Sequence, residues 1–184
     1  MREALDDASK RMDKAVKATA HEFASVRTGR ASASLLERIS FDYYGTLTPL
    51  NQAATINVPE PQMIVIQPYD KSNLAIIEKA IQQSDLGLSP SNDGNIIRVP
   101  FPPLTEERRL ELVKIVKKLG EEGKVAVRNV RRDVNDKIKT KEKNHEISQD
   151  EQQSALEETQ KITNKHTNDI ESLLQVKEAE IMEV

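Results

Sequence analysis

The chain has 184 residues and a formal net charge of −3, with 31% charged and only 3% aromatic side chains. That length allows one or two domains with an ordinary core, and that composition marks a polar, helix-rich chain with few large anchors. It has no cysteine, which excludes disulfides, thiolate metal sites and cysteine nucleophiles and fits a cytoplasmic home.

The start, "MREALDDASKRMDKAV", is amphipathic but carries Glu3, Asp6 and Asp7 and lacks the apolar stretch of a signal peptide. Apolar positions recur at Leu5, Ala8, Met12, Ala15, Thr19, Phe23 and Val26. Spacings of three and four predict a helix over residues 1–28 with one buried stripe, ended by Gly29. Residues 31–104 are of another kind, and all eight prolines lie between Pro49 and Pro103. "ERISFDYYG" and "ATINV" alternate with the strand period, "MIVIQ" is a short β-branched run, and "NIIRVPF" returns as a strand. Between them "KSNLAIIEKAIQQSD" reads as a short helix, with Ser72 as its cap and Leu74, Ile77 and Ile81 inward. "NDGN" is turn chemistry.

Residues 105–143 predict a long helix. Thr105 caps it, Glu106 and Glu107 suit its positive end, and Leu112, Val116, Leu119, Val127, Val130, Val134 and Ile138 form its stripe. Gly120 and Gly123 weaken its middle turns, each by up to about 1 kcal/mol relative to Ala. A capping box, Ser148 to Glu151, opens a third helix whose stripe runs through Ile162, His166, Ile170, Leu173, Leu174 and Ile181. None of the three helices is apolar all round, so each must bury its stripe on the others. The expected fold is α+β, an elongated three-helix bundle (1–29 and 105–184) with a small β/α/β domain (31–104) inserted between helices 1 and 2. Two thin links, near Arg30-Ala31 and Pro103-Leu104, predict a hinge.

Charge is unevenly spread: residues 105–143 carry +5 and residues 144–184 carry −7. The basic excess concentrates in "KVAVRNVRRDVNDKIK". On a helix of about 100° per residue, Arg131 and Arg132 fall about 60° and 40° to either side of Arg128. Lys117, Lys124, Asn135 and Lys139 lie on the same face, and Glu121 interrupts it. Three arginines within five residues suit bidentate recognition of phosphate or carboxylate. The competing account is a solvated helix face with i,i+4 pairs such as Arg132–Asp136 and Asp133–Lys137, each worth only about 0.2–0.5 kcal/mol. No aromatic lies near the strip, so backbone and shape recognition of folded RNA is favoured over stacking on splayed bases.

The motifs "VRTGRAS", "YYGTLTPL", "EKAIQQSDLGL", "IRVPFPPLTEERR", "VAVRNVRRDVND" and the tail "KEAEIMEV" occur in this order. On these the sequence resembles the bacterial ribosome recycling factor family along essentially its whole length. The resemblance implies an L-shaped molecule similar to tRNA in outline. It implies a translation factor that binds the post-termination ribosome and, with elongation factor G and GTP, splits the subunits and releases mRNA and tRNA. It also implies that the bundle lies against large-subunit rRNA. Arg27, Arg30, Arg128, Arg131 and Arg132 would then belong to the RNA-facing and hinge-proximal surface, with Lys117, Lys124 and Asn135 on the same strip. Departures from the family pattern are Gln62 in place of a basic residue, and Tyr69 and Val134, which read as packing variants.

An enzyme is not expected. His21, His145 and His166 are far apart, with His166 read as a core or edge residue and His145 as a solvated loop residue. Asp133 and Asp136, at i,i+3, hint at a metal but have arginines beside them, so no metal is expected. There is no P-loop, so any GTP hydrolysis belongs to the partner, and no cofactor is expected. The chain is expected to be a monomer with no membrane partner. The remaining alternative is a helical RNA- or protein-binding adaptor or chaperone without a role in recycling.

Overall fold

The computed structural model describes residues 2–183; Met1 and Val184, the predicted ends of the bundle, lie outside them. The elements in chain order are α1 (Arg2–Ala24), β1 (Ser40–Tyr43), β2 (Thr46–Pro49), α2 (Leu50–Ala53), β3 (Ala54–Glu60) and β4 (Met63–Pro68). They continue with α3 (Leu74–Gln82), β5 (Ser91–Asn92), β6 (Ile97–Pro100), α4 (Glu106–Lys143) and α5 (Gln149–Met182). The chain forms two compact units, Met1–Phe23 with Val113–Ala179 and Ala24–Leu112 with Glu180–Val184.

The first unit is built from three helices. Its core joins Ala8 and Met12 of α1, Val127, Val130, Val134 and Ile138 of α4, and Ala155 and Ile170 of α5. Val134 is therefore a packing position. The buried stripe of α5 runs through Thr159, Thr163 and His166 as well as through its aliphatic residues. The threonines are tolerated there because each hydroxyl donates back to a carbonyl four residues earlier, Thr159 Oγ1 to Ala155 O at 2.8 Å and Thr163 Oγ1 to Thr159 O at 2.7 Å. His166 Nδ1 lies 2.8 Å from the Ile162 carbonyl, and the residue is buried. Its expected place in the core or at its edge is thus observed.

Gly120 and Gly123, read from sequence as weak points of α4, are points of close contact with neighbouring side chains. A Cβ on Gly120 would lie 3.3 Å from Leu174 and 3.5 Å from Phe23, and one on Gly123 would overlap the Thr19 hydroxyl. The missing Cβ leaves room for these neighbouring side chains, and at Gly123 a methyl could enter only if Thr19 moved.

The second unit holds a two-stranded sheet, β1-β2, and a four-stranded sheet in the order β3-β4-β6-β5, with every pair antiparallel. Leu74, Ile77 and Ile81 of α3 are buried in one core with Leu50, Ile64, Ile66, Ile97, Val99 and Phe101. The β1-β2 hairpin turns at Tyr44 and Gly45, both with positive φ (50° and 84°). That pairing suits a two-residue turn of the mirror-image type. β2, the single turn α2 and the two-residue β5 are too short to leave a period in the sequence.

Three local expectations need correction. α1 ends at Ala24, not near residue 28, because Val26 is buried and Arg27 is engaged within the second unit. The helical turn before α3 is capped by Asp70, whose carboxylate accepts from Ser72 N at 2.9 Å and Ser72 Oγ at 2.7 Å. Ser72, expected to cap, is a donor to that cap. Tyr69 is 71% exposed, so it is not a packing variant. The long-helix caps are as expected: Arg108 N donates to Thr105 Oγ1 at 3.2 Å, and Ser148 and Glu151 form the reciprocal box at 2.8 and 3.2 Å.

Candidate nucleic-acid interface

α4 presents its arginines because its other side is committed to the core. Val127, Val130, Val134 and Ile138 are buried at spacings of three and four, which turns Arg128, Arg131 and Arg132 to the flank and outward. Helix propensity and charge placement agree with this. Glu106 and Glu107 sit in the first turn and Lys141 and Lys143 in the last.

The side chains on this face differ in what already holds them. Arg132 is exposed, and its nearest polar contact is Asn129 Oδ1 at 3.4 Å, a weak neutral bond on the same helix. Arg131 donates to Gln160 Oε1 of α5 at 3.0 Å. Arg128 lies 3.7 Å from Glu121, with both side chains about half exposed at 42% and 56%. Lys124 is paired with Glu171 of α5, and its side chain is only 19% exposed. Lys117 lies 3.6 Å from Glu178 Oε1, an atom that is buried and has no hydrogen-bond partner. Asn135 Oδ1 is likewise buried without a partner. Asp133 takes Arg11 of α1 at 2.8 Å, which ties a carboxylate of the strip to the bundle.

Sequence reasoning missed the lysine–glutamate rungs between α4 and α5. The signal was present. Lys117 and Lys124 are seven apart, as are Glu171 and Glu178, and antiparallel helices bring such series together in reverse order.

Arg27 and Arg30 belong to the second unit. Arg27 lies with its guanidinium 5.5 Å from the Phe101 ring centroid and donates to the Pro102 carbonyl at 2.7 Å. Its Nε is buried without a partner. Burial, with a smaller contribution from Arg108, pushes its pKa below the usual arginine value. Arg30 is 68% exposed at its side chain and pairs with Glu183 at 2.6 Å. The buried Arg109 donates Nη1 to the Glu183 carbonyl and Nε to the Leu104 carbonyl. Pro103 and Leu104 lie just before α4, and Ala31 N donates to the Pro61 carbonyl at 2.7 Å.

Among the described residues no group of three His, Cys, Asp or Glu side chains is placed to hold a metal ion, and no helix is long and apolar enough to cross a membrane.

A three-helix unit with an arginine-rich flank, together with a small antiparallel β unit, defines a class of helical factor. The family described as "Ribosome recycling factor" matches residues 19–182. A ribosome-recycling factor of Geobacillus thermodenitrificans is 57% identical over 183 residues, covering 100% of this chain and 99% of the relative. The chain belongs to the ribosome recycling factor family. A solution structure of the ribosome recycling factor superposes with a TM-score of 0.80 at 47% identity, covering 100% of this chain and 97% of that one. A second, with a TM-score of 0.69 at 43% identity, covers 99% of this chain and 98% of that one. It describes the T. thermophilus factor and the E. coli elongation factor G bound to the E. coli post-termination complex.

Proposed function

We propose that this chain binds the post-termination ribosome and, with elongation factor G and GTP, separates the subunits and frees mRNA and tRNA. The observation that supports this reading is the whole-length match to a recycling factor described on a post-termination complex together with elongation factor G. In this reading Arg132, Arg131 and Arg128 grip rRNA phosphates, since they stand together on one flank of α4 and are held only by neutral bonds or by a half-exposed pair at 3.7 Å. Arg27 and Arg30 support the surface of the second unit, and the links at Arg30-Ala31 and Pro103-Leu104 act as a hinge. The chain works as a cytoplasmic monomer and has no catalytic activity of its own. Binding alone shifts equilibria only by differential affinity, so the partner's GTP hydrolysis supplies the drive.

The test is a splitting assay on post-termination ribosomes, read as free subunits on a density gradient. Free subunits are expected only when this protein, elongation factor G and GTP are all present. Splitting without elongation factor G, or none with all three, would overturn the reading.

A further inference from the structure

We propose that Glu121, Glu171 and Glu178 determine the RNA specificity of this surface, by holding the flanking cations of α4 on the protein. The inference rests on the reading of the α4 strip as phosphate-binding and deepens it. Six cations were expected on that strip: Lys117, Lys124, Arg128, Arg131, Arg132 and Lys139. Three of them face a carboxylate, at 3.6 Å for Lys117–Glu178, at 3.7 Å for Arg128–Glu121, and in direct contact for Lys124–Glu171.

The three pairs are not equally firm. Lys124 is largely buried at its pair. Lys117 is the cation nearest a buried carboxylate oxygen that has no hydrogen bond. Drawing it away to a phosphate would leave that oxygen uncompensated, which is costly. Arg128 and Glu121 are both half exposed and beyond hydrogen-bond reach. Arg128 is therefore the one paired cation that a phosphate can take over.

The consequence concerns discrimination. Non-specific affinity for a polyanion grows with the number of phosphates neutralised, and the salt dependence grows with it. A continuous stripe of six free cations would bind any duplex. With Lys117, Lys124 and Arg128 paired, the strip offers Arg131, Arg132 and the exposed Lys139, joined by Arg128 when a phosphate displaces Glu121. Only RNA that places phosphates at those positions is bound well. The carboxylates of α5 repel a backbone that runs along the seam instead, so specificity comes from a repulsive element beside an attractive one.

The experiment compares wild type, Glu171→Gln/Glu178→Gln and Glu121→Gln for binding to two ligands. One is an unrelated RNA duplex and the other is vacant large ribosomal subunits, each titrated between about 50 and 200 mM salt. The glutamine variants should bind the duplex about tenfold more tightly at low salt, with the slope of log K against log salt steeper by about one to two. Binding to large subunits should rise by less than about threefold at the same salt. An unchanged duplex slope in the folded variants, or an equal gain on both ligands, overturns the proposal. Glu121 is 56% exposed at its side chain, so its variant keeps the test open should the double substitution disturb the bundle. Arg132→Ala separates the two levels. If it leaves large-subunit binding unchanged, the phosphate-binding reading itself fails. If it weakens that binding while the glutamines do nothing, only the specificity proposal fails.

Discussion

Lys124 of α4 and Glu171 of α5 form an ion pair in which the lysine side chain is 19% exposed and the glutamate 45%. The pair crosses the seam between two antiparallel helices, so it ties α4 to α5 as well as neutralising charge. Partial burial puts it above the near-zero median of open surface pairs. In a double-mutant cycle of Lys124→Ala and Glu171→Ala, followed by urea denaturation, we expect a coupling of about 0.5–1 kcal/mol. Strict additivity would remove the pair from the account of bundle stability.

Arg132→Ala should weaken large-subunit binding about tenfold or more, equal to at least about 1.4 kcal/mol. Among the described residues its one side-chain hydrogen bond is the 3.4 Å contact with Asn129, so the melting curve should stay close to wild type. The salt slope should fall in magnitude by about one. A large drop in melting temperature with binding intact would make the residue structural.

Gly123→Ala tests the helix contact. In an open helix this exchange would stabilise by up to about 1 kcal/mol. Here the new methyl overlaps Thr19, and overpacking of this kind costs about 1–3 kcal/mol. The variant should therefore melt below wild type, and adding Thr19→Ala should recover most of the loss. A variant more stable than wild type would show that α1 and α4 have room to spare at this point.

The α5 capping box predicts an acid-side pH dependence. The Glu151 carboxyl is held below its ordinary value, chiefly by the Ser148 backbone N–H and then by the Ser148 hydroxyl. A carboxyl depressed in the folded state contributes stability that is present above its unfolded pKa and is lost as pH falls through the folded one. Glu151→Gln cannot ionise, so it removes this titration while leaving an oxygen to accept from Ser148 N and Oγ. It should lower the melting temperature at neutral pH and flatten its decline between pH about 5 and 3, the range in which ordinary glutamates titrate. Parallel melting-temperature profiles for the two proteins would dismiss the box as a pH-sensitive feature. Asp70 is depressed chiefly by the Ser72 hydroxyl and Asp93 by the Ile96 and Asn95 backbone N–H groups, so some acid sensitivity should remain in the variant.

Much of the bundle was legible because its signals are local and repeated. The valine stripe of α4, the Thr105 cap and the Ser148–Glu151 box follow from spacing alone. The errors have a common physical origin in tertiary context. Thr159 and Thr163 look polar, but each hydroxyl is satisfied by its own helix and the rest of the side chain packs. Gly123 looks like a defect until the helix it meets is known. Arg27 has helix-compatible neighbours, yet Phe101 and the Pro102 carbonyl draw it out of α1. β2 and β5, of four and two residues, carry no pattern longer than chance. The arginine cluster was visible as composition, whereas the holding of Lys117 and Lys124 depends on α5, more than 40 residues away for the Lys124–Glu171 pair.

The unbroken course of α4 from Glu106 to Lys143 limits which insertions and deletions the gene can tolerate. Losing one residue between Gly123 and Val127 would turn everything downstream by about 100°, carrying the arginines off their flank and the valines out of the core. Losing seven turns it by only about 20°, but it would leave one lysine–glutamate rung without its counterpart unless α5 shortened by the same amount. Length change here should therefore come in matched heptads in both helices. Viable length variation should accumulate at the Asn144–Ile147 connection and in the β unit's turns, where no rotational phase is transmitted.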